Sequence, residues 1–406
     1  MTISNITGSP VSDDDFYDRE WELDVLTRAV QERNNVLLTA PRRVGKSSLV
    51  LAAIAWARQR SWTCIQVDVQ DCDTEASFLE RLVDACRAAG VKPGMLDELA
   101  QAAKRVKRYF AGTGLATPGV TVQVPEEGPE DWREAGRLFQ RVLQQEAGGD
   151  NWVLIGVDEL PIFLAQLLKQ PQGTARVDLV LRWLRRLRMQ PLKGVSWILC
   201  GSVGLDTFVE QHKLVGTIND LQLQHLGAFP DSIAVEFLMA LGRSSAGRLT
   251  LTEELSRTIV RLVGWSLPYY LQLMFHAVKE LAPDLRSADY PSEADIRAAY
   301  EQLLSPHSYS YFAHWDARLD DQLDAVRSDT ARFLLKAICR KDRGIRRDRL
   351  RNLLLARSPH ADPASIEVEL DFALGLLERD GYLMRDKNTW VFRSFLLRDY
   401  WRRRFD

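Results

Sequence analysis

Apolar and polar positions divide the chain into two stretches of different period. Between residues 34 and 229, short apolar runs recur at 35–40, 63–69, 152–158 and 195–201, with a last near 221–226. These runs are nearly unbroken rather than alternating, which predicts strands buried on both faces. Helical periodicity fills the gaps, notably at 48–60, 132–145 and 179–189. Strands alternating with helices predict a mostly parallel sheet in three layers. The segment 112–129, rich in Gly, Pro, Thr and Glu, predicts a long loop or a small hairpin.

After residue 230 the strand pattern stops. Helical periods occupy 231–242, 253–264, 267–280 and 293–304. Thr252 before Glu253 and Glu254, and Ser292 before Asp295, are helix-start signals. Residues 305–327, aromatic and charged (Tyr309, Tyr311, Phe312, Trp315), predict a connector that links and packs the last domain. The last stretch predicts helices at 329–341, 347–356 and 365–379. Hairpin strands follow at 382–384 and 390–392 around Arg385-Asp386-Lys387-Asn388, then a final helix to Phe405. Three helices and a hairpin are the pattern of a winged helix. The expected divisions are a tail 1–15, a core 16–229, a helical domain 230–304, a connector 305–327 and a winged helix 328–406.

Composition narrows the class. At 46% hydrophobic and 27% charged, the 406 residues suit a folded protein rather than a disordered one. No apolar stretch approaches the ~18 residues of a membrane span. The polar, acidic start, 1–15, lacks the pattern of a signal peptide. Five scattered cysteines, an odd number without metal spacing, predict reduced thiols and a cytoplasmic setting. The net charge of −2 is unevenly spread. Residues 331–406 hold 18 Lys and Arg against 11 Asp and Glu, and the remainder holds 35 against 44. That asymmetry marks either a nucleic-acid surface or a domain docked on an acidic neighbour.

The chemistry begins at Ala40-Pro41-Arg42-Arg43-Val44-Gly45-Lys46-Ser47-Ser48, between the first strand and the following helix. In that setting Gly45 lets the backbone approach a phosphate, and the first helical N–H groups face the anion. Lys46 supplies charge to the β- and γ-phosphates, and the Ser47 hydroxyl is placed to ligate Mg²⁺. The pattern G-x-x-x-x-G-K-[ST] wants Gly at position 40, where this chain has Ala. Pro41 pre-sets φ for a turn. Arg42 and Arg43 either add charge at the phosphates or are a solvated basic loop. A second motif ends the run 152–157 on Asp158-Glu159. Two carboxylates at a buried strand tip fit an Mg²⁺ partner (Asp158) and a base for the attacking water (Glu159). Acids starting a helix, with Pro161 just inside it, would look alike. Ser202, after the run 195–201, is either a hydrogen-bond partner of the water or γ-phosphate, or a helix cap. Arg182, Arg185, Arg186 and Arg188 on the 179–189 helix read as a solvated face before an arginine finger.

Several segments together resemble the archaeal-type ATPases, related to the MNS clade, of the STAND NTPases. Phe16-Tyr17-Asp18-Arg19-Glu20 is similar to their hydrophobic-hydrophobic-Gly-Arg-Glu segment, and 41–49 to their Walker A form. Gly264-Trp265-Ser266-Leu267-Pro268-Tyr269-Tyr270 resembles the Gly/Pro motif of their helical lid, and 376–383 their C-terminal wing. The resemblance runs from about residue 12 to the end. It implies an α/β, three-layer P-loop NTPase fold (ASCE/AAA+-like) followed by a helical lid and a winged helix. It implies ATP with Mg²⁺ and slow hydrolysis through Lys46, Asp158, Glu159 and Ser202. Phe16, Tyr17, Arg19 and Pro268 would border the nucleotide beside Pro41, Arg42, Arg43, Val44, Gly45, Ser47 and Ser48. Asp18 for Gly, Ala40 for Gly, and no sensor arginine beside Ser202 depart from the family form.

Two functions follow. The first is a nucleotide-driven switch in signalling, regulation or defence, with a protein partner or self-association. The alternative is an ATP-dependent DNA-binding protein of the origin-recognition type. Glu367, Glu369 and Asp371 at the start of the third C-terminal helix would repel a phosphate-rich groove, which favours protein docking. Contact with the DNA backbone through the basic C-terminal surface stays open.

Overall fold

The computed structural model describes residues 3–12, 15–113, 125, 127–190, 192–201, 204–244, 249–281 and 291–405. The chain forms two compact units. One comprises Arg19–Ala40 with Lys46–Leu226; the other comprises Met1–Asp18, Pro41–Gly45 and Gly227–Asp406.

The first unit begins with α1 (Glu20–Gln31), β1 (Asn35–Thr39), α2 (Lys46–Arg58) and β2 (Thr63–Asp68). Then come α3 (Glu75–Ala88), α4 (Pro93–Thr113), α5 (Glu130–Glu146) and β3 (Val153–Asp158). It closes with α6 (Leu160–Leu168), α7 (Gly173–Arg188), β4 (Val195–Gly201), α8 (Leu205–Gln211) and β5 (Leu221–His225). The five strands are parallel in the order β2-β3-β4-β1-β5. The apolar runs explain why: β3 and β4 are buried along nearly their whole length, as strands covered by helices on both faces must be.

On one face, Gly156 leaves just enough room for α2, where an added Cβ would meet Val50 at 3.5 Å. Ser196 Oγ donates to Val30 O of α1 at 2.9 Å, so the polar group inside β4 is satisfied. On the other face, α3, α5, α6 and α7 bring Phe78, Phe139, Phe163 and Trp183 against Ile155 and Trp197. Phe78 stacks on Phe163 at 5.2 Å. Arg176 of α7 forms a buried bidentate pair with Glu75 of α3.

Two expectations change here. Gly112 and Thr113 close α4 rather than opening a loop, and most of the rest of the 112–129 segment lies outside the described residues. The arginines of α7 are only in part a solvated face: Arg182 and Arg186 are exposed, and Arg188 is not. Arg188 is buried, with Nε 2.7 Å from Asp220 Oδ2 and a second nitrogen 2.8 Å from Thr217 O. Arg182 pairs with Asp178.

The second unit contains α9 (Asp231–Ser244), α10 (Glu253–Val263), α11 (Pro268–Glu280), α12 (Glu293–Leu303), α13 (Ser310–Gln322) and α14 (Ala325–Cys339). It continues with β6 (Ile345–Arg346), α15 (Arg347–Arg357), α16 (Pro363–Arg379), β7 (Leu383–Asp386), β8 (Thr389–Phe392) and α17 (Phe395–Phe405). Thr252 caps α10 by accepting from Leu255 N, and Ser292 with Asp295 forms a reciprocal capping box on α12. Gly264 ends α10 at φ +72°, and Phe395 occupies the space a Cβ would need. β6, β8 and β7 make a small antiparallel sheet in that order.

The segment expected to link and pack the last domain contains the helix α13. α13 buries Phe312, Trp315 and Leu319, and its Arg318 forms a buried bidentate pair with Asp380 at 2.9 and 3.0 Å.

Candidate nucleotide-binding site

β4 lies between β1 and β3, so the strands that end in the two motifs are separated by one strand. β1 ends at Thr39, and α2 starts at Lys46. In the loop between them the left-handed backbone falls at Arg43 (φ +66°) and Gly45 (φ +97°), and not at Ala40. The Gly-to-Ala departure therefore removes no conformational freedom that this loop uses. At Gly45 nothing crowds the missing side chain; the dihedral alone asks for glycine. Asp18 likewise stands at φ +45°, so the Gly of the family segment is replaced where the backbone is left-handed. Aspartate is one of the few residues that tolerate it.

The phosphate-loop side chains converge on the tip of β3. Lys46 Nζ is 3.0 Å from Asp158 Oδ1 and 3.4 Å from Glu159 Oε1. Ser47 Oγ donates to Asp158 Oδ2 at 3.0 Å. Asp158 Oδ1 also accepts from the Glu159 backbone N–H at 2.9 Å and from Cys200 Sγ at 3.3 Å. Glu159 is left-handed at φ +57° and stands at the N-cap of α6, with Pro161 in that helix's first turn. A non-glycine residue held there stores strain of about 1–3 kcal/mol, which is a mark of functional turns.

The charges are mutually adjusted. Burial acts to lower the Lys46 pKa, but the acidic groups around it, Cys200, Asp158 and Glu159, outweigh burial and raise it. Burial acts to raise Asp158, and the Lys46 charge and hydrogen bond bring it below the usual carboxylate range. Burial, then Asp158, pushes the Cys200 thiol well above its ordinary value. At neutral pH the cluster therefore holds an ammonium, the Asp158 carboxylate and a neutral thiol.

Hard oxygen donors from Ser47 and Asp158 at the end of a phosphate loop suit Mg²⁺, which binds through one or two protein oxygens together with phosphates and water. Among the described residues no group of three or more His, Cys, Asp or Glu could hold a metal by itself.

The remaining expected site residues are distributed between the units. Ser48 is buried in α2, and Arg19 is buried with its guanidinium 2.6 Å from Glu22. In the second unit, Tyr17 packs on Phe229 and Phe237, and both it and Phe16 are half-buried. Pro268 opens α11 at its first turn. Pro41–Gly45 belong to this unit, with Val44 buried. Arg43 is not a solvated loop residue: its guanidinium lies 4.5 Å over the Tyr269 ring and donates to Gly8 O at 3.2 Å. Ser202 lies outside the described residues. Cys200 was not singled out from the sequence; a thiol ending the apolar run of β4 is the signal that could have pointed to it.

No protein-family model matches the sequence, and no curated protein does. Solved structures do. The Walker-type ATPase PABY2304 of Pyrococcus abyssi superposes with a TM-score of 0.62 at 17% identity, covering 98% of this chain and 99% of that one. The ORC2 protein of Aeropyrum pernix, solved as ADPNP–ADP complexes, gives 0.56 at 14% identity, covering 96% and 95%. The fold is that of a P-loop ATPase. The P-loop sheet runs on into a helical C-terminal region in this chain as in both neighbours, which the high coverage on each side requires.

Proposed function

We propose that the chain is an ATP-binding, slowly ATP-hydrolysing P-loop enzyme whose nucleotide state drives a conformational switch. The observation that carries this reading is the convergence of Lys46, Ser47, Asp158 and Glu159 at the adjoining ends of β3 and α2. Lys46 would exchange its carboxylate partners for the nucleotide phosphates. Ser47 and Asp158 would hold Mg²⁺, which supplies charge neutralisation at the β- and γ-phosphates. Glu159, released from Lys46, would accept the proton of the attacking water. Glu159→Gln keeps the backbone turn and removes the base. It should retain ATP affinity while turnover falls by about 10²–10⁴-fold. Undiminished hydrolysis by this variant would sink the assignment.

The likeness to ORC2 supports the origin-recognition reading at least as well as the STAND switch. A physical feature of the C-terminal helices and hairpin, which we take as a winged helix, bears on how DNA would be met. The acids of α16 are already paired: Glu367 with Arg347 and Arg351, Asp371 with Arg347, and Glu369 with Arg327. This supports neither groove reading by α16 nor free phosphate contact by Arg347 and Arg351. At the hairpin, Arg385 and Lys387 are exposed and have no acidic partner among the described residues, as is Arg349 on α15. Contact with the DNA backbone through the hairpin is the form of the second reading that these charges favour.

A further inference from the structure

We propose that Cys200 is a positioning residue for Asp158, whose S–H holds the carboxylate in the orientation that presents its other oxygen to Ser47 and the metal. The inference rests on the ATPase reading above. Asp158 Oδ1 collects three donors: Lys46 Nζ at 3.0 Å, the Glu159 N–H at 2.9 Å and Cys200 Sγ at 3.3 Å. Oδ2 faces Ser47 Oγ at 3.0 Å. When Lys46 turns to phosphate, Oδ1 loses its charged donor. The two that remain, one from the backbone of β3's own end and one from β4, then fix the plane of the carboxylate.

Register explains why the thiol reaches. Val157 of β3 pairs with Leu199 of β4, so the next residues of the two strands, Asp158 and Cys200, emerge side by side. Leu38 of β1 pairs with Cys200 from the opposite side, which puts the thiol between the two motif strands. Cys200 is fully buried, so water cannot take over as donor. Its single proton has two acceptors in reach, Asp158 Oδ1 at 3.3 Å and Val157 O at 3.5 Å.

The test compares Cys200→Ala, Cys200→Val and Cys200→Ser in the full chain, with two readouts. Mn²⁺ binding in the presence of ATP, followed by electron paramagnetic resonance and competed with Mg²⁺, gives the metal affinity. Steady-state hydrolysis separates kcat from KM for ATP. Losing one hydrogen bond should weaken metal binding by about 3–10-fold in the alanine and valine variants. Their kcat should fall by a similar factor with KM for ATP unchanged. Serine, which keeps a donor, should stay within about twofold of wild type. Unchanged metal affinity in the alanine and valine variants, or a serine variant as impaired as they are, overturns the assignment and leaves Cys200 a packing residue. A wild-type chain that binds neither ATP nor Mn²⁺ overturns the ATPase reading and this inference together.

Discussion

Lys46 is held between two carboxylates and is almost removed from solvent, so its charge is already desolvated before any nucleotide arrives. Phosphates replacing Asp158 and Glu159 need only exchange partners, not strip water from the ammonium. Lys46→Ala should therefore lower ATP affinity by about 100-fold or more, read by isothermal titration. Equal affinity would remove the loop as the binding site. The motif letters made Lys46, Ser47, Asp158 and Glu159 legible, because each sits where a strand meets a helix. The sequence did not show that Ala40 is harmless and that the left-handed positions are Arg43 and Gly45, since dihedral demand is invisible until the loop is traced. Nor did it show Cys200, which is 42 residues from Asp158 and reaches it only through strand register.

At the scale of elements, the strands were readable because a buried parallel strand must be apolar along its length. α13 was not read as a helix, although Phe312 and Trp315 were read as packing residues, because polar and charged positions interrupt its buried stripe of Phe312, Trp315 and Leu319. That helix also carries a pH-sensitive group. His314 is pushed down to about 3 by burial and then by Arg43, Arg42 and Arg318. The folded form keeps it neutral while the unfolded chain takes a proton below its ordinary value of about 6.5. Stability is therefore unaffected by this group above pH 6.5 and is lost progressively as pH falls towards 3. Denaturation midpoints at pH 7 and pH 5 should differ less in His314→Gln than in wild type. Between α3 and α7, the Arg176–Glu75 pair is a second tie between elements. Arg176→Ala strands a buried carboxylate and should cost about 3–5 kcal/mol in urea unfolding. A loss below about 1 kcal/mol would show that Glu75 finds another partner or a proton.

Across the whole molecule, the basic surplus of residues 331–406 marked either a nucleic-acid surface or a domain docked on an acidic neighbour. Several of its arginines are paired: Arg403 with Glu301 and Arg404 with Asp316 outside the stretch, and Arg402 with Asp342 and Arg347 and Arg351 with α16 inside it. A count of charges cannot reveal such pairing, because the partners come from distant segments. The exposed remainder at the hairpin predicts weak, sequence-independent duplex binding that falls with salt. Arg385→Gln with Lys387→Gln should reduce the slope of log affinity against log salt by about 2, read by fluorescence anisotropy. An unchanged slope would move any DNA contact elsewhere. The assignment of Pro41–Gly45 to the C-terminal unit has a thermodynamic corollary. Five residues of the phosphate loop are, in packing terms, part of the unit that holds Tyr269, and the chain passes from one unit to the other at each end of them. A ligand of the C-terminal unit that changed ATP affinity through those residues would have its own affinity changed by ATP by the same factor. The magnitude of that shared factor can be measured from either side, by titrating ATP with the partner present or the partner with ATP present.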